Sequence, residues 1–286
     1  MKRRVETFSV EGKSIEYSII GEGILILIMH GGHSNCYEEF GYNALVEQGF
    51  SLITPSRAGY GKTSKDIGGS LSSACEFYLK LLNHLNLEKV HLIAVSAGGP
   101  SGIYFSSCYS ERVNTLTLQC AVTKEWLTPE DRTYKAAQIL FRPTVEKYIW
   151  KLVSFMNNQF PHYMFKQMIS SFSKLPHDEV VSKMKEDDIE EIRKMNNRQR
   201  SGYGFLIDLL QTSKITSDDL QAITCPTLIM HSQYDGAVPL EHAYYASKLI
   251  PRSELFLLNS WGHLIWLGKE AEELDKKLLD FLTTNN

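Results

Sequence analysis

The sequence lacks the features that would direct the chain to a membrane or to nucleic acid. No apolar stretch approaches the roughly 20 residues that span a bilayer. The basic residues at positions 2–4 lead into mixed polar and apolar residues, not into the apolar run of a signal peptide. An excess of one charge is also lacking, since 30 Lys and Arg face 33 Asp and Glu, for a formal net charge of -3 at pH 7. This balance argues against a nucleic acid or an anionic membrane held by bulk charge.

Cysteine is sparse and shows no paired spacing. The five cysteines are Cys36, Cys75, Cys108, Cys120 and Cys225. None has C-x-x-C spacing, so the sequence indicates neither a zinc site nor a disulfide framework. Internal repeats and low-complexity tracts are missing as well. We therefore expect a reduced, cytoplasmic protein, a monomer or a homodimer, whose partner is a small-molecule substrate, with no nucleic acid and no membrane.

The chain does contain a strand pattern that ends abruptly on a serine. Residues 90–95 are apolar and partly β-branched, Ser96 follows directly, and residues 97–99 are small. Pro100 suits the first turn of a helix, because its missing N–H would have no partner there. The pattern predicts strand, sharp turn and helix, with the Ser96 hydroxyl held above the strand end near unpartnered N–H groups. A serine that merely caps a helix is the alternative.

Strand and helix patterns alternate through most of the chain. The predicted strands are residues 5–10, 14–20, 24–29, 50–54, 90–95, 113–119, 225–231 and 254–258. The predicted helices are residues 37–48, 71–85, one beginning at Pro100, 240–250 and 269–282. The first two strands form a predicted hairpin at a sheet edge. This alternation predicts an α/β protein with a doubly wound, mostly parallel sheet.

The strand rhythm stops between residues 124 and 212, where apolar residues recur at helical spacing among many charges. We interpret this stretch as a helical lid inserted into the α/β core. The predicted division is residues 1–123 for the first part of the core, 124–212 for the lid and 213–286 for the second part of the core.

Three residues that carry chemistry follow predicted strand ends, in the chain order Ser96, Asp235 and His263. Parallel strands bring such ends to one edge of a sheet. A serine hydroxyl is a weak nucleophile unless an imidazole takes its proton, and the imidazole needs a carboxylate to orient it. The sequence therefore predicts these three as catalytic. The alternatives are that Asp235 only bonds its own turn, with Glu125 as the rival acid, and that His263 is a packing residue.

These motifs resemble those of the α/β-hydrolase superfamily over nearly the whole chain. Residues 94–98, Ala-Val-Ser-Ala-Gly, are similar to its nucleophile elbow, although Ala94 stands where the family usually has glycine. Further similar segments are His30-Gly31-Gly32, Arg57 to Ser64, Cys225 to Ile229 before Asp235, and Trp261-Gly262-His263. The resemblance implies the α/β-hydrolase fold and an oxyanion hole formed by the backbone N–H groups of Gly32 and Ala97.

Together the residues and the resemblance predict a lidded serine hydrolase. It would cleave a small, largely apolar carboxylic ester, thioester or amide through an acyl-enzyme, with no metal and no cofactor. Trp126 and Trp266 are candidate substrate-binding residues. His33 is a third, and it either lines the pocket or faces solvent. His30 is expected to support its turn, and His231 is expected to be structural.

Three other functions stay open from the sequence. The His-Gly-Gly turn and the large lid resemble those of proline iminopeptidases, but His33, Ser34 and Ala97 depart from that family's pattern. A ligand-binding member of the fold without turnover is the second alternative. Haloperoxidase or perhydrolase activity without a cofactor would use the same three residues. Dehalogenases and epoxide hydrolases are disfavoured, because such relatives carry aspartate in place of Ser96.

Overall fold

The computed structural model describes residues 2–286, and its centre is one eight-stranded sheet. The strands are β1 (Arg4–Val10), β2 (Lys13–Ile20), β3 (Ile24–Met29), β4 (Phe50–Pro55), β5 (Val90–Val95), β6 (Val113–Gln119), β7 (Thr227–Ser232) and β8 (Ser253–Leu258). Their order in the sheet is β1-β2-β4-β3-β5-β6-β7-β8. Strand β2 pairs antiparallel with β1 and β4, and the other pairs are parallel. The edge hairpin and the mostly parallel sheet are thus confirmed.

Helices fill the connections between the strands. They are α1 (Asn43–Glu47), α2 (Leu71–His84), α3 (Gly99–Cys108), α4 (Arg132–Leu140), α5 (Glu146–Gln159), α6 (Pro161–Phe172), α7 (His177–Lys183), α8 (Asp188–Arg198), α9 (Gly204–Gln211), α10 (Ser217–Gln221), α11 (Glu241–Leu249) and α12 (Ala271–Thr284). Within residues 2–286, none of these helices combines the length and the hydrophobicity that a bilayer-spanning segment requires.

The helix predicted over residues 37–48 is wrong in its first half, because only α1 is helical there. The side-chain oxygen of Asn35 accepts a hydrogen bond from the backbone N–H of Tyr37 at 2.9 Å, which starts a turn instead. Gly41 then has a φ of +73°, which a right-handed helix does not contain. This hydrogen bond and the conformation of Gly41 therefore replace the helix that the spacing of the apolar residues predicts.

Both faces of the sheet are covered, which explains why its central strands are apolar throughout. Along β3, Leu27 and Met29 belong to the core on the side of α2 and α3. The alternate residues Ile26 and Ile28 belong to the core on the side of α12. The parallel pairing of β3 with β4 and β5 sets the register of the strand, and thereby the place where its end projects its loop.

Helices α4 to α9 lie between β6 and β7, where the lid is predicted. Phe165 and Ile192 of these helices pack with Trp261, which lies just before His263. Phe205 and Leu209 of α9 pack with Tyr60, in the loop after β4. The helices therefore cover the carboxyl ends of the strands. The division of the chain at residues 123 and 212 stays a prediction.

Candidate active site

Ser96 lies at the end of β5, in a tight turn that leads into α3. Its φ of +52° is in the left-handed region, which is strained for a residue with a Cβ atom. A Cβ at Gly98 would lie 2.2 Å from the carbonyl oxygen of Met29, and one at Gly99 would lie 2.1 Å from that of Val122. Because Gly98 and Gly99 have no side chains, the helix can start between the segments that contain Met29 and Val122. The serine is thereby held above the end of the strand.

Ala94, which replaces the usual glycine of the motif, packs against a glycine of the helix. A Cβ on Gly102 of α3 would lie 2.5 Å from the Cβ of Ala94. The close contact between strand and helix therefore has room for one methyl group, and here the strand carries it. This explains why the departure from the glycine motif leaves the elbow intact.

Ser96, Asp235 and His263 meet at the edge formed by the carboxyl ends of β5, β7 and β8. The Nε2 of His263 lies 2.9 Å from the Oγ of Ser96. The Nδ1 of His263 lies 2.7 Å from the Oδ2 of Asp235. Because the carboxylate accepts the proton of Nδ1, Nε2 is left unprotonated and can accept a proton from the serine.

The carboxylate of Asp235 is bound from several sides. Its Oδ1 accepts the backbone N–H groups of Ala237 at 2.8 Å and of Val238 at 2.9 Å. Burial raises the pKa of Asp235, but His263 and the other partners outweigh burial, so this pKa lies below its usual value. His231 approaches Oδ2 to 3.3 Å and hydrogen-bonds the carbonyl oxygen of Val238 at 3.0 Å. The acid is therefore ionised and fixed, and His231, expected from the sequence to be structural, lies beside it.

Cys120, His231 and Asp235 form the one cluster of potential metal ligands found in residues 2–286, with ligand atoms within 4.8 Å of one another. Burial raises the pKa of the Cys120 thiol well above its usual value, so the sulfur stays protonated. Asp235 already accepts from His263 and from two backbone N–H groups. These occupied and protonated donors fit a packed hydrogen-bond network better than a metal centre.

Two side chains fix the orientation of the Gly31–Gly32 peptide, in which the oxyanion donor Gly32 is predicted. The carbonyl oxygen of Gly31 accepts from the Nδ1 of His30 at 2.8 Å and from the Nη2 of Arg57 at 3.3 Å. In a trans peptide the N–H points opposite to the C=O, so the N–H of Gly32 points away from both donors. A Cβ on Gly32 would lie 3.7 Å from the Cβ of Ala97, and both residues line the same cavity.

A buried ion pair holds this turn against the predicted lid. The guanidinium of Arg57 contacts both carboxylate oxygens of Asp208 on α9, at 2.5 and 2.8 Å. The Nε of Arg57 donates to the carbonyl oxygen of His30 at 2.6 Å, and the Tyr60 hydroxyl donates to Asp208 at 2.6 Å. Burial lowers the pKa of Arg57, but Asp208 outweighs burial and raises it. Arg57 falls in a recognised motif, whereas no sequence signal pointed to Asp208.

A cavity of about 540 Å³ opens in front of Ser96. His33, Trp126 and Trp266, the predicted substrate-binding residues, all line it. Much of the remaining wall is apolar and comes from the predicted lid: Leu127, Trp150, Met168, Phe172, Met195 and Phe205. The indole N–H of Trp126 donates to the carbonyl oxygen of Ala237 at 3.0 Å, which links this wall to the loop that carries Asp235.

One carboxylate, that of Glu38, also lines the cavity and was missed by sequence reasoning. Its Oε1 accepts from Arg198 at 2.7 Å and its Oε2 accepts from the Ser34 hydroxyl at 3.2 Å.

The rival acid Glu125 is exposed. His30 supports its own turn, as expected, because it bonds the carbonyl oxygen of Gly31.

The eight-stranded, mostly parallel sheet covered by helices is the fold of an α/β hydrolase. The chain belongs to the family described as alpha/beta hydrolase fold, whose model matches residues 24–270. It is a hydrolytic enzyme of that fold.

Individual relatives agree with this assignment. The chain is 65% identical to a Bacillus subtilis protein named uncharacterized hydrolase YcgS, over 99% of each chain. It is 25% identical to 2-hydroxy-6-oxononadienedioate/2-hydroxy-6-oxononatrienedioate hydrolase 1 of Dechloromonas aromatica, covering 94% of this chain and 90% of that protein. Among solved structures, an alpha/beta hydrolase fold protein from Nakamurella multipartita is similar with a TM-score of 0.81 and 23% identity, over 97% of this chain and 98% of that one.

Proposed function

We propose that this chain is a serine hydrolase that cleaves a small, largely apolar carboxylic ester, thioester or amide through an acyl-enzyme. The observation that carries the proposal is the continuous hydrogen-bond chain from Ser96 through His263 to Asp235, with distances of 2.9 and 2.7 Å. This chain of contacts ends at the wall of the cavity. It matches the arrangement that activates a serine hydroxyl in serine hydrolases.

In the proposed reaction the Oγ of Ser96 attacks the substrate carbonyl while the Nε2 of His263 takes the hydroxyl proton. The N–H groups of Gly32 and Ala97 stabilise the resulting oxyanion, and each such donor is worth a factor on the order of 10²–10³ in rate. The imidazolium of His263, stabilised by Asp235, then protonates the leaving group. Water activated by the same histidine hydrolyses the acyl-enzyme and restores the Ser96 hydroxyl.

The apolar wall supports a largely apolar substrate, since the transfer of apolar substrate groups from water into such a cavity is favourable. We include Trp126 and Trp266 among the residues that contact the substrate. Trp126 is linked to the proposed catalytic acid, because its indole N–H donates to the carbonyl oxygen of Ala237, two residues after Asp235.

A series of 4-nitrophenyl esters from acetate to octanoate tests the proposal. We expect Ser96→Ala and His263→Ala each to lower kcat by roughly 10⁴- to 10⁶-fold. The matched controls are Ser213→Ala and His162→Ala, which remove exposed side chains of the same types and should keep wild-type turnover. Retention of most activity in folded Ser96→Ala protein would refute the assignment.

Hydrolysis of a carbon–carbon bond is a second candidate, because the compound in the name of the Dechloromonas aromatica relative carries ketone and carboxylate groups but no ester or amide. The same three residues would act on a ketone instead of an ester. The substrate named for that relative, 2-hydroxy-6-oxononadienedioate, is the probe, and its consumption is compared with that of the esters. A kcat/KM for this acid above that of every ester would replace ester hydrolysis with carbon–carbon cleavage.

Two further outcomes favour the alternatives left open by the sequence. Labelling of Ser96 by a fluorophosphonate without ester turnover would favour a narrower substrate, such as the proline-terminated peptides of an iminopeptidase. Folded protein that neither reacts with the probe nor hydrolyses any ester would favour a ligand-binding role for the cavity.

A further inference from the structure

His33 follows the proposed oxyanion residue Gly32, and its side chain lines the cavity. Its backbone lies in the left-handed region, with a φ of +61°. The imidazole packs on Phe205 with a centroid distance of 3.9 Å and on Phe141 with one of 4.4 Å. A strained backbone and two aromatic contacts thus hold this ring in one orientation, although the serine-hydrolase steps do not use it.

A short hydrogen-bond chain determines which nitrogen of His33 carries the proton. The indole N–H of Trp150, which can only donate, lies 2.7 Å from the hydroxyl oxygen of Ser201. The Nδ1 of His33 lies 2.8 Å from the same oxygen. Within residues 2–286 that nitrogen is the only acceptor that the Ser201 hydroxyl contacts, so the hydroxyl donates to Nδ1. The proton of the neutral imidazole is therefore on Nε2.

The Nε2–H group of His33 is free to bind a molecule in the cavity. It makes no hydrogen bond to any residue that the structure describes. Within the same residues, the side-chain nitrogens and oxygens that are both buried and without a hydrogen-bond partner belong to Ser106, Thr117, Asn196, Trp261 and Glu270. His33 is not among them, so its Nε2 is not buried away from the cavity. Burial lowers the pKa of His33 to about 3, so at neutral pH the ring is an uncharged donor.

The surroundings of His33 favour an uncharged acceptor. A substrate carboxylate placed there would lose its water against aromatic rings, at a large cost in free energy. The cavity offers it no compensating cation, because no Lys or Arg of residues 2–286 lines the cavity and the nearby guanidinium of Arg198 is already paired with Glu38. A ketone, ester or amide oxygen costs much less to bury, and one N–H donor satisfies it.

We propose that His33 determines the specificity of the cavity by donating its Nε2–H to a second, uncharged carbonyl oxygen of the substrate. The proposal rests on the proposed serine-hydrolase function, because it assigns the scissile carbonyl oxygen to Gly32 and Ala97. The preferred substrates are then oxo- or acyl-substituted esters, above plain alkanoate esters and above esters with a free carboxylate.

Matched 4-nitrophenyl esters test this preference. The set pairs 4-oxopentanoate with pentanoate and the glutarate hemiester, and 5-oxohexanoate with hexanoate and the adipate hemiester. For wild type we expect the better oxo ester to exceed its plain partner about 3- to 10-fold in kcat/KM, the worth of one neutral hydrogen bond. Both hemiesters should fall below the plain esters. Equal values for oxo and plain esters, or a preference for the hemiesters, would overturn the proposal while leaving the Ser96-dependent hydrolysis in place.

His33→Phe keeps an aromatic ring but removes the donor. We expect it to bring the ratio of oxo to plain ester to about one, by raising KM for the oxo ester. An unchanged ratio would contradict the proposal. So would a fall in kcat at constant KM for both esters, because that result would make His33 an oxyanion donor.

Nitrogen NMR of ¹⁵N-histidine protein tests the same proposal without turnover. In Ser96→Ala protein we expect the His33 resonances, assigned by their loss in His33→Phe, to show a proton on Nε2 at pH 7. Addition of 2-hexanone, an unreactive ketone, should shift the Nε2–H signal, while the exposed His162 should not respond. A proton on Nδ1, or a His33 signal that does not respond to the ketone, would overturn the proposal even if ester hydrolysis fails.

Discussion

At the scale of single residues, the acid of the site is defined by how completely its carboxylate is bonded. Asp235 meets His263 at 2.7 Å and two backbone N–H groups at 2.8 and 2.9 Å. Its lowered pKa keeps it ionised through neutral pH. Glu125, the rival acid from the sequence, is exposed. The proposed role of orienting the imidazole therefore falls to Asp235.

Asp235→Asn tests this role. The amide retains the size of the side chain but cannot stabilise an imidazolium, and its NH₂ group favours the wrong tautomer of His263. We expect kcat to fall on the order of 10⁴-fold, as for an orienting aspartate in other triads. Glu125→Gln, measured in the same ester assay, serves as the control and should stay within about twofold of wild type. A larger loss in the Glu125 variant than in the Asp235 variant would reverse the assignment.

At the scale of elements, the elbow depends on how closely α3 passes β5. Gly102 gives the helix the space that the methyl group of Ala94 occupies. Gly102→Ala should therefore overpack the contact and destabilise the protein by about 1–3 kcal/mol. The double variant Ala94→Gly with Gly102→Ala moves the methyl from strand to helix and should recover most of the loss. Urea denaturation midpoints measure both effects, and strictly additive losses would show that the two positions do not share this space.

The contact between α9 and the turn at residues 30–32, where the oxyanion hole is proposed, can be tested as well. Asp208→Asn leaves Arg57 as a buried cation without its counter-ion, which commonly costs about 3–5 kcal/mol of stability. Because Arg57 also bonds the carbonyl oxygens of His30 and Gly31, we expect kcat to fall in the protein that remains folded. Asp218→Asn, at an exposed acid on α10, is the control. If the Asp208 variant loses stability but keeps the wild-type kcat, the ion pair does not determine the orientation of Gly32.

Much of the architecture could be predicted because burial imposes a simple pattern on the chain. Strands covered on both faces, such as β3, are continuous apolar runs bounded by turn residues. The helix over residues 37–48 was predicted too long, since the turn at Asn35 depends on a local side-chain bond that periodicity does not register. Asp208 and Glu38 could not be found either, because each contacts a partner, Arg57 or Arg198, that only the folded chain brings near.

At the scale of the whole molecule, the predicted lid takes part in building the site as well as covering it. The carbonyl oxygen of Phe172, at the end of α6, accepts the N–H of Gly236 at 3.0 Å and the N–H of His263 at 2.8 Å. The next residue, Ser173, forms a bridge with Asp235. One turn of the predicted lid thus joins the loop of the acid to the loop of the histidine. The reactivity of Ser96 should therefore depend on this whole assembly.

The most direct test of the account is the site of reaction with a fluorophosphonate, mapped by mass spectrometry of the intact protein and its peptides. We predict one adduct per chain, on the peptide that contains Ser96. The adduct should be lost in Ser96→Ala, and its formation should be strongly slowed in His263→Ala, while Ser213→Ala should label like wild type. An adduct on another residue, or labelling at the wild-type rate in the His263 variant, would contradict the claim that Ser96 is a serine activated by His263.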